Sequence, residues 1–257
     1  MKSSVSVVII TKNEEENIAA CLESVSWADE IILVDDESTD ATTQIARKYT
    51  DKIFNRKMEN EGRHRNWAYA QAANGWVFSL DADERVSSEL AGEIIQLLQA
   101  SPKFKAYAVP RKNYIGDYWL RYGGEYPAFQ VKLFLKNEFK FEEAEVHPRA
   151  LMQGATGYLK RDLIHYSHRD FSDYLRSLNG QTTLEAKKWY LTGRKMSFIH
   201  ALWRAIDRCF FKRLIRKRAY RDGIYGFAVA FFSGVYQIVS YLKYRELVAK
   251  SGAVVSK

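Results

Sequence analysis

Trp76-Val-Phe-Ser-Leu-Asp-Ala-Asp-Glu84 places three carboxylates directly behind five largely apolar residues. A short apolar run that does not alternate is the mark of a strand covered on both faces, as in a parallel sheet. The acids then fall in the turn at its carboxyl end. Upstream the arrangement recurs: Ile31-Ile-Leu-Val34 is a second such run, and Asp35-Asp36 follow at once. Val5-Ser-Val-Val-Ile-Ile10, ended by Thr11-Lys-Asn13, is a third. It is too short for the apolar core of a signal peptide and reads as the first strand. Lys52-Ile-Phe54 supplies one more, short strand.

Helical spacing fills the gaps. Asn13 with Glu16 has the spacing of an N-cap and its N3 partner ahead of Ile18, Leu22 and Val25. Ser38-Thr-Asp40 caps a helix over residues 41–48. Residues 61–73 form another. In residues 88–100, Leu90, Ile94, Leu97 and Leu98 share one face. Strands alternating with helices predict an α/β fold, a mostly parallel open sheet with helices on both faces.

Ligands of such sheets bind outside the carboxyl ends of the strands, near the topological switch point. Both acidic clusters therefore face one crevice. Carboxylates gathered there without partners repel one another. Mg²⁺ or Mn²⁺, held by one or two carboxylates together with substrate phosphates, relieves the repulsion. A metal-bridged diphosphate is the natural ligand. The chain carries neither a P-loop nor a glycine-rich dinucleotide fingerprint. Read singly, Asp35-Asp36 is equally an ordinary helix-capping turn; the pair of clusters, each at a strand end, is more specific than either.

Beyond residue 104 the pattern changes. Ala106-Tyr-Ala-Val-Pro110 and Val131-Lys-Leu-Phe-Leu135 are strands without intervening helices and extend the sheet. Residues 171–191 are helical, with Tyr174, Leu178 and Ala186 as packing positions. Net charge is +8, yet residues 194–221 hold ten Lys or Arg and one acid, so that segment carries +9 and the remainder −1. Residues 223–242 contain no charge, and Gly226, Ala230 and Gly234 make a small-residue stripe. A basic segment leading into an apolar helix predicts association with an anionic membrane surface; the alternative is a buried helix of a soluble domain. Cys21 and Cys209 lack metal-type spacing and suit a reducing cytosol.

Three blocks resemble the signatures of family 2 inverting glycosyltransferases: Ser6-Val-Val-Ile-Ile-Thr-Lys-Asn-Glu14, Val34-Asp-Asp-Glu-Ser-Thr-Asp-Ala-Thr42 and Ser79-Leu-Asp-Ala-Asp-Glu84. The resemblance implies the A-type nucleotide-sugar fold. Four further segments are similar to the lipopolysaccharide inner-core β-glucosyltransferase branch: Arg63-His-Arg-Asn66, Glu125-Tyr-Pro-Ala-Phe-Gln-Val-Lys-Leu-Phe134, Leu163-Ile-His-Tyr-Ser167 and the aromatic end at Tyr241-Leu-Lys-Tyr244.

By that resemblance Thr11, Asn13 and Glu14 lie beside the nucleoside, and Asp36 contacts base or ribose. Arg63 and Asn66 approach the nucleotide and its diphosphate, Asp81 the ribose, and Asp83 binds Mg²⁺ or Mn²⁺. The branch carries its base as Val-His-Glu, where this chain has Glu145-Val-His-Pro148. Glu145 is the first choice of general base, Glu143 the second, and His147 a third.

The implied organisation is a nucleotide-sugar-binding half over residues 1–104, an acceptor-binding half of the same domain over 105–193, and a membrane-associating helical tail over 194–257. The implied activity moves a hexose from a UDP-sugar to a lipopolysaccharide-core or other membrane-bound glycan acceptor, at the cytoplasmic face of the inner membrane, peripheral or monotopic, with no nucleic-acid partner. Two alternatives stand beside it. One is a polyprenyl-phosphate sugar transferase. The other is a nucleotidyltransferase making nucleotide sugars, which the acidic loop after the first strand disfavours.

Overall fold

The structure, a computed structural model, describes residues 3–143 and 149–252. The first half alternates: β1 (Val5–Thr11), α1 (Ile18–Glu23), β2 (Glu30–Asp35), α2 (Thr42–Ala46), β3 (Ile53–Asn55), α3 (Glu61–Ala70) and β4 (Trp76–Asp81). β5 (Glu84–Val86), α4 (Ser88–Gln99), β6 (Ala106–Val109), β7 (Arg111–Ile115) and β8 (Tyr118–Trp119) follow. The strands end with β9 (Gln130–Leu135), β10 (Phe139–Phe141), β11 (Ala150–Met152), β12 (Gly157–Tyr158) and β13 (Leu163–His168). The chain divides into two compact units, Met1–Lys112 with Ala128–His165, and Asn113–Pro127 with Tyr166–Lys257.

The first unit is built on a seven-stranded sheet, ordered β12-β6-β9-β4-β1-β2-β3. β1, β2, β3 and β4 run parallel, and β9 is antiparallel to both β4 and β6. The strands expected after residue 104 thus do extend the sheet. Alternate side chains of the central strands fill two cores. Val7, Ile9, Leu33 and Phe78 meet Leu22 of α1 and Leu90 and Ile94 of α4 on one face. Val8, Ile32, Val34 and Val77 meet Ala68 and Tyr69 of α3 on the other. Burial on both faces is the reason these strands read as unbroken apolar runs. The fold is the A-type α/β sheet with helices on both faces.

Local details depart from expectation. Asn13 does not cap α1. Its backbone takes φ +53°, a region Asn tolerates, and its side-chain oxygen accepts from the Thr39 amide at 2.8 Å. Asn17 stands at the N-cap position, and α1 begins at Ile18. α2 is confined to Thr42–Ala46, preceded by Asp40, whose Oδ1 accepts from the Thr42 amide at 3.0 Å. α3 is capped by Asn60, which accepts from the Arg63 amide at 2.9 Å, and it stops at Ala70 because tighter turns at Gln71 and Ala72 lead the chain into β4.

The second unit is mainly helical: α5 (Phe171–Leu191), α6 (Phe198–Ile206), a ten-residue π-helix (Asp207–Arg216) and α7 (Gly223–Lys250). The small-residue stripe of α7 serves close approach. A Cβ added at Gly226 would lie 1.9 Å from the Ala219 carbonyl oxygen, and one at Gly234 would lie 2.9 Å from that of Ala205. α7 runs eight residues beyond the uncharged stretch, ending at Lys250. Asp222, buried just before it, accepts from the Arg121 and Tyr122 amides.

Candidate active site

The register of β1 brings the strand-end residues level. Thr11 pairs with Asp35 on β2, and Ile10 with Asp81 on β4. Both acidic turns therefore flank the end of β1, within one unit.

The acids have different fates. Asp35 is fully buried and clasps its own turn, accepting from the Ser38 amide at 2.9 Å and its hydroxyl at 2.5 Å. Asp36 accepts from the Met58 amide at 2.7 Å and from Lys12 Nζ at 2.9 Å. Burial pushes its pKa up, but these donors outweigh burial and hold it below the ordinary value. The Glu14 carboxylate accepts from Asn17 Nδ2 at 2.8 Å, while the Glu14 backbone N–H donates to Thr42 Oγ1. Thr11 Oγ1 is buried without a hydrogen-bond partner. His64 is buried beside Asp36, and burial keeps its imidazole pKa below the usual range despite that carboxylate.

Asp81 and Glu84 are held by cations from elsewhere in the chain. Lys132 of β9, almost wholly buried, donates to Glu84 at 2.5 Å and to Asp81 at 3.1 Å. Arg65 reaches Asp81 at 3.1 Å, and Arg111 reaches Glu84 at 3.4 Å. Glu84 also accepts from the Asp81 amide at 2.9 Å. Burial opposes ionisation of Asp81, yet Arg65 and Lys132 hold its carboxyl well below the usual carboxylate range. Lys132 is raised above the ordinary lysine value, since the two carboxylates overcome its own desolvation. The repulsion expected among these acids is in large part cancelled by the protein itself.

Asp83 stands apart. Its Oδ2 lies 3.3 Å from His165 Nε2, and its Oδ1 is buried with no hydrogen-bond partner. The pairing of β13 with β5, which sets His165 opposite Glu84, fixes this neighbour. Among the described residues no three His, Cys, Asp or Glu side chains gather to hold a metal. A buried carboxylate oxygen without a donor nonetheless fits a Mg²⁺ or Mn²⁺ that takes its remaining ligands from phosphates and water.

Two other expected residues are engaged elsewhere. Asn66 bonds the Phe141 backbone twice, donating to its carbonyl at 2.9 Å and accepting from its amide at 2.7 Å. Arg63 pairs with Glu143 at 3.1 Å on an exposed surface. Glu145 and His147 lie outside the described residues.

Residues 6–150, more than half of the chain, match the family model described as glycosyl transferase family 2. The chain belongs to that family. It is 25% identical over 250 residues to the lipopolysaccharide core biosynthesis glycosyltransferase LpsC of Rhizobium meliloti, covering 94% of this chain and 92% of that protein. An uncharacterized glycosyltransferase of Rickettsia prowazekii is 26% identical over 267 residues, covering 98% of this chain and 90% of the other. Among solved structures, Staphylococcus aureus TarS superposes with TM-score 0.47 at 16% identity, covering 98% of this chain and 93% of that one. Membership makes the strand-end acids those of a glycosyltransferase and removes the nucleotidyltransferase reading. Lys132, Arg65 and Arg111 were the residues missed. A lysine inside the apolar run at 131–135 was the one signal pointing to any of them.

Proposed function

We propose that this glycosyltransferase moves a hexose from a UDP-sugar to a lipopolysaccharide-core or other membrane-bound glycan acceptor, with inversion at the anomeric carbon and dependence on Mg²⁺ or Mn²⁺. The observation that carries the reading is the buried, unpartnered Oδ1 of Asp83 at the strand ends where Thr11, Asp36 and Asp81 also gather. The motif blocks support the donor class, and the relative with a lipopolysaccharide-core name supports the acceptor class. Residues 1–104 then serve the nucleotide sugar, 105–193 the acceptor and 194–257 the membrane.

Thr11, Asn13, Glu14 and Asp36 form the nucleoside end of the site. Arg63, once released from Glu143, would meet the diphosphate, and Asn66 would lie near it while tying α3 to Phe141. Lys132 and Arg65 keep Asp81 ionised and fixed in direction, so that it accepts hydrogen bonds from a ribose without titrating. Asp83, with His165 beside it, would hold the metal, which when bound neutralises charge on the departing diphosphate. The acceptor hydroxyl gives its proton to a carboxylate of the segment after β9, Glu145 first and Glu143 second. Glu143 must leave Arg63 to take that role. Displacement by the acceptor oxygen in a single step inverts the anomeric centre.

The second unit supports work at an anionic inner-membrane surface, on its cytoplasmic face. Ile199 is 79% exposed and Trp203 62%, with Phe210 and Ile215 also exposed, among the basic residues of 194–221, and Ile224 is exposed just beyond them. α7 is within the one helix, among the described residues, long and apolar enough to cross a membrane; a third of its most apolar window is buried in the protein. A peripheral or monotopic seat uses the exposed apolar face and leaves the packed face intact.

The test is hydrolysis of a panel of nucleotide sugars by the purified protein, with and without Mn²⁺ or Mg²⁺, beside Asp83→Ala. Metal-dependent release of UDP from one sugar, lost in the variant, is the expected result. Full activity in Asp83→Ala would overturn the metal assignment, and no turnover or binding of any nucleotide sugar would overturn the donor.

A further inference from the structure

The second unit contains a cavity of about 290 Å³, near the lower end of small-ligand pockets. It is lined entirely by residues of that unit, among them Arg208 and Arg213 of the π-helix and Glu125. The π-helix explains why both arginines reach it. At 3.6 residues per turn, side chains five apart diverge by about 140°. An i→i+5 ladder widens the turn and brings them toward one face. Isolated π-turns are rare and gather at functional sites, and this one extends over ten residues.

The two arginines differ. Arg213 is paired with Glu125. Arg208 is half-buried and makes no hydrogen bond or ion pair among the described residues. The lining holds two arginines and one carboxylate, that of Glu125, which is paired with Arg213, so the guanidinium left without a carboxylate partner is that of Arg208. Around it stand hydroxyls and an amide from Tyr174, Ser177, Gln181, Ser233 and Tyr236. Burial pushes both phenols up to about 12, so they stay protonated at any physiological pH. The Tyr236 hydroxyl donates to the Gln181 carbonyl at 3.5 Å, Ser233 Oγ to the Ala230 carbonyl at 2.7 Å and Gln181 Nε2 to Ser177 Oγ at 3.2 Å, which leaves the oxygens of the Tyr236 and Ser233 hydroxyls as acceptors. Val229 and Phe232 give the cavity an apolar wall.

From the unpaired Arg208, the ring of neutral hydroxyl and amide groups and the apolar wall, we infer that this cavity binds a phosphorylated polyol: one anionic phosphate, met by the guanidinium, on a hydroxyl-rich body the size of a single sugar. A guanidinium without a partner is preorganised for phosphate. Hydroxyl and amide groups match a polyol, and an aromatic or aliphatic wall takes the apolar face of a sugar ring. The chemistry has two sources, a phosphorylated sugar of a glycan or the headgroup of a phospholipid such as phosphatidylglycerol. Identifying the ligand with the acceptor rests on the transferase reading; the binding itself does not.

The experiment is an NMR titration of the full chain, free of nucleotide, with glucose 6-phosphate, glucose and inorganic phosphate. Wild-type protein is expected to bind glucose 6-phosphate at least about tenfold more tightly than glucose, the scale of one charge-assisted hydrogen bond. Arg208→Gln should abolish that advantage, Arg208→Lys should keep most of it, and Tyr236→Phe should weaken binding severalfold, all with UDP affinity unchanged. Competition by phosphatidylglycerol vesicles assigns the lipid source, and its absence the glycan source. Equal affinity of wild-type protein for glucose and its phosphate overturns the inference without any variant, and so does undiminished binding by a folded Arg208→Gln. Nucleotide-sugar hydrolysis that persists while sugar-phosphate binding fails sinks this site alone and leaves the transferase reading standing.

Discussion

Replacing Lys132 by Met keeps the length of the side chain and removes its ammonium. What remains is a fully buried Glu84, its nearest cation Arg111 at 3.4 Å, and an Asp81 held by Arg65 alone. Removing one member of a buried pair costs about 3–5 kcal/mol, because the other charge stays buried without compensation. Arg111 and Arg65 still answer part of that charge, so the lower end, about 3 kcal/mol, is expected. For a unit of this size that corresponds to a fall of ~6–12 °C in Tm. Adding Glu84→Gln removes the stranded charge, and the double variant should be more stable than the sum of the single losses by about 1 kcal/mol or more.

The pH dependence gives a sharper check. Asp81 is depressed in the folded state, so its contribution is present above the unfolded carboxylate value, about 3.9, and is lost as pH falls below it toward the folded value. Lys132 is raised, so its contribution is present below the unfolded lysine value, about 10.4, and is lost only as pH rises through the higher folded value. The stability gap between wild type and Lys132→Met should therefore be flat from about pH 5 to 9 and narrow as pH falls toward 3. Chemical denaturation across that range measures it. A gap under about 1 kcal/mol at neutral pH, or one that does not narrow in acid, refutes the assignment of Lys132 as the counter-ion.

Three further outcomes are expected. Gly226→Ala forces a Cβ against the Ala219 carbonyl and should destabilise the second unit by about 1–3 kcal/mol, seen as faster proteolysis of residues 166–252; unchanged protease resistance counts against the close packing of α7. Asn66→Ala strips Phe141 of two hydrogen bonds and should cost about 1–3 kcal/mol in thermal unfolding, and a neutral result removes Asn66 as the tie between α3 and β10. Ile199→Glu with Trp203→Glu should greatly reduce co-flotation with anionic vesicles while leaving nucleotide-sugar hydrolysis in detergent unchanged; retained flotation sinks the membrane role of that face.

The sheet was legible because its central strands are buried on both faces, and burial on both faces leaves no choice but unbroken β-branched runs at 5–10 and 31–34. The acids at the strand ends were legible for the opposite reason, since nothing in a buried strand explains them. The caps were less so. Asn13 has the spacing of a helix cap, but spacing cannot show that its side chain is drawn to the turn at Thr39, a contact made across 26 residues of sequence.

The counter-ions were hidden by topology. Lys132 lies 51 residues from Asp81 in sequence, and only the antiparallel insertion of β9 beside β4 brings them together. The physical premise, that gathered carboxylates need positive charge, holds in the folded protein, but the charge comes from three side chains rather than from a metal alone. That changes what a metal has to do. Asp81 and Glu84 are already neutralised, Asp36 is matched by Lys12, and Asp35 is consumed by its own turn. Asp83 is the acid of these turns whose buried oxygen is left without a donor. A divalent ion would then be bound by few protein ligands and would depend on the diphosphate for the rest, so metal and nucleotide sugar should bind with positive coupling, each weak without the other.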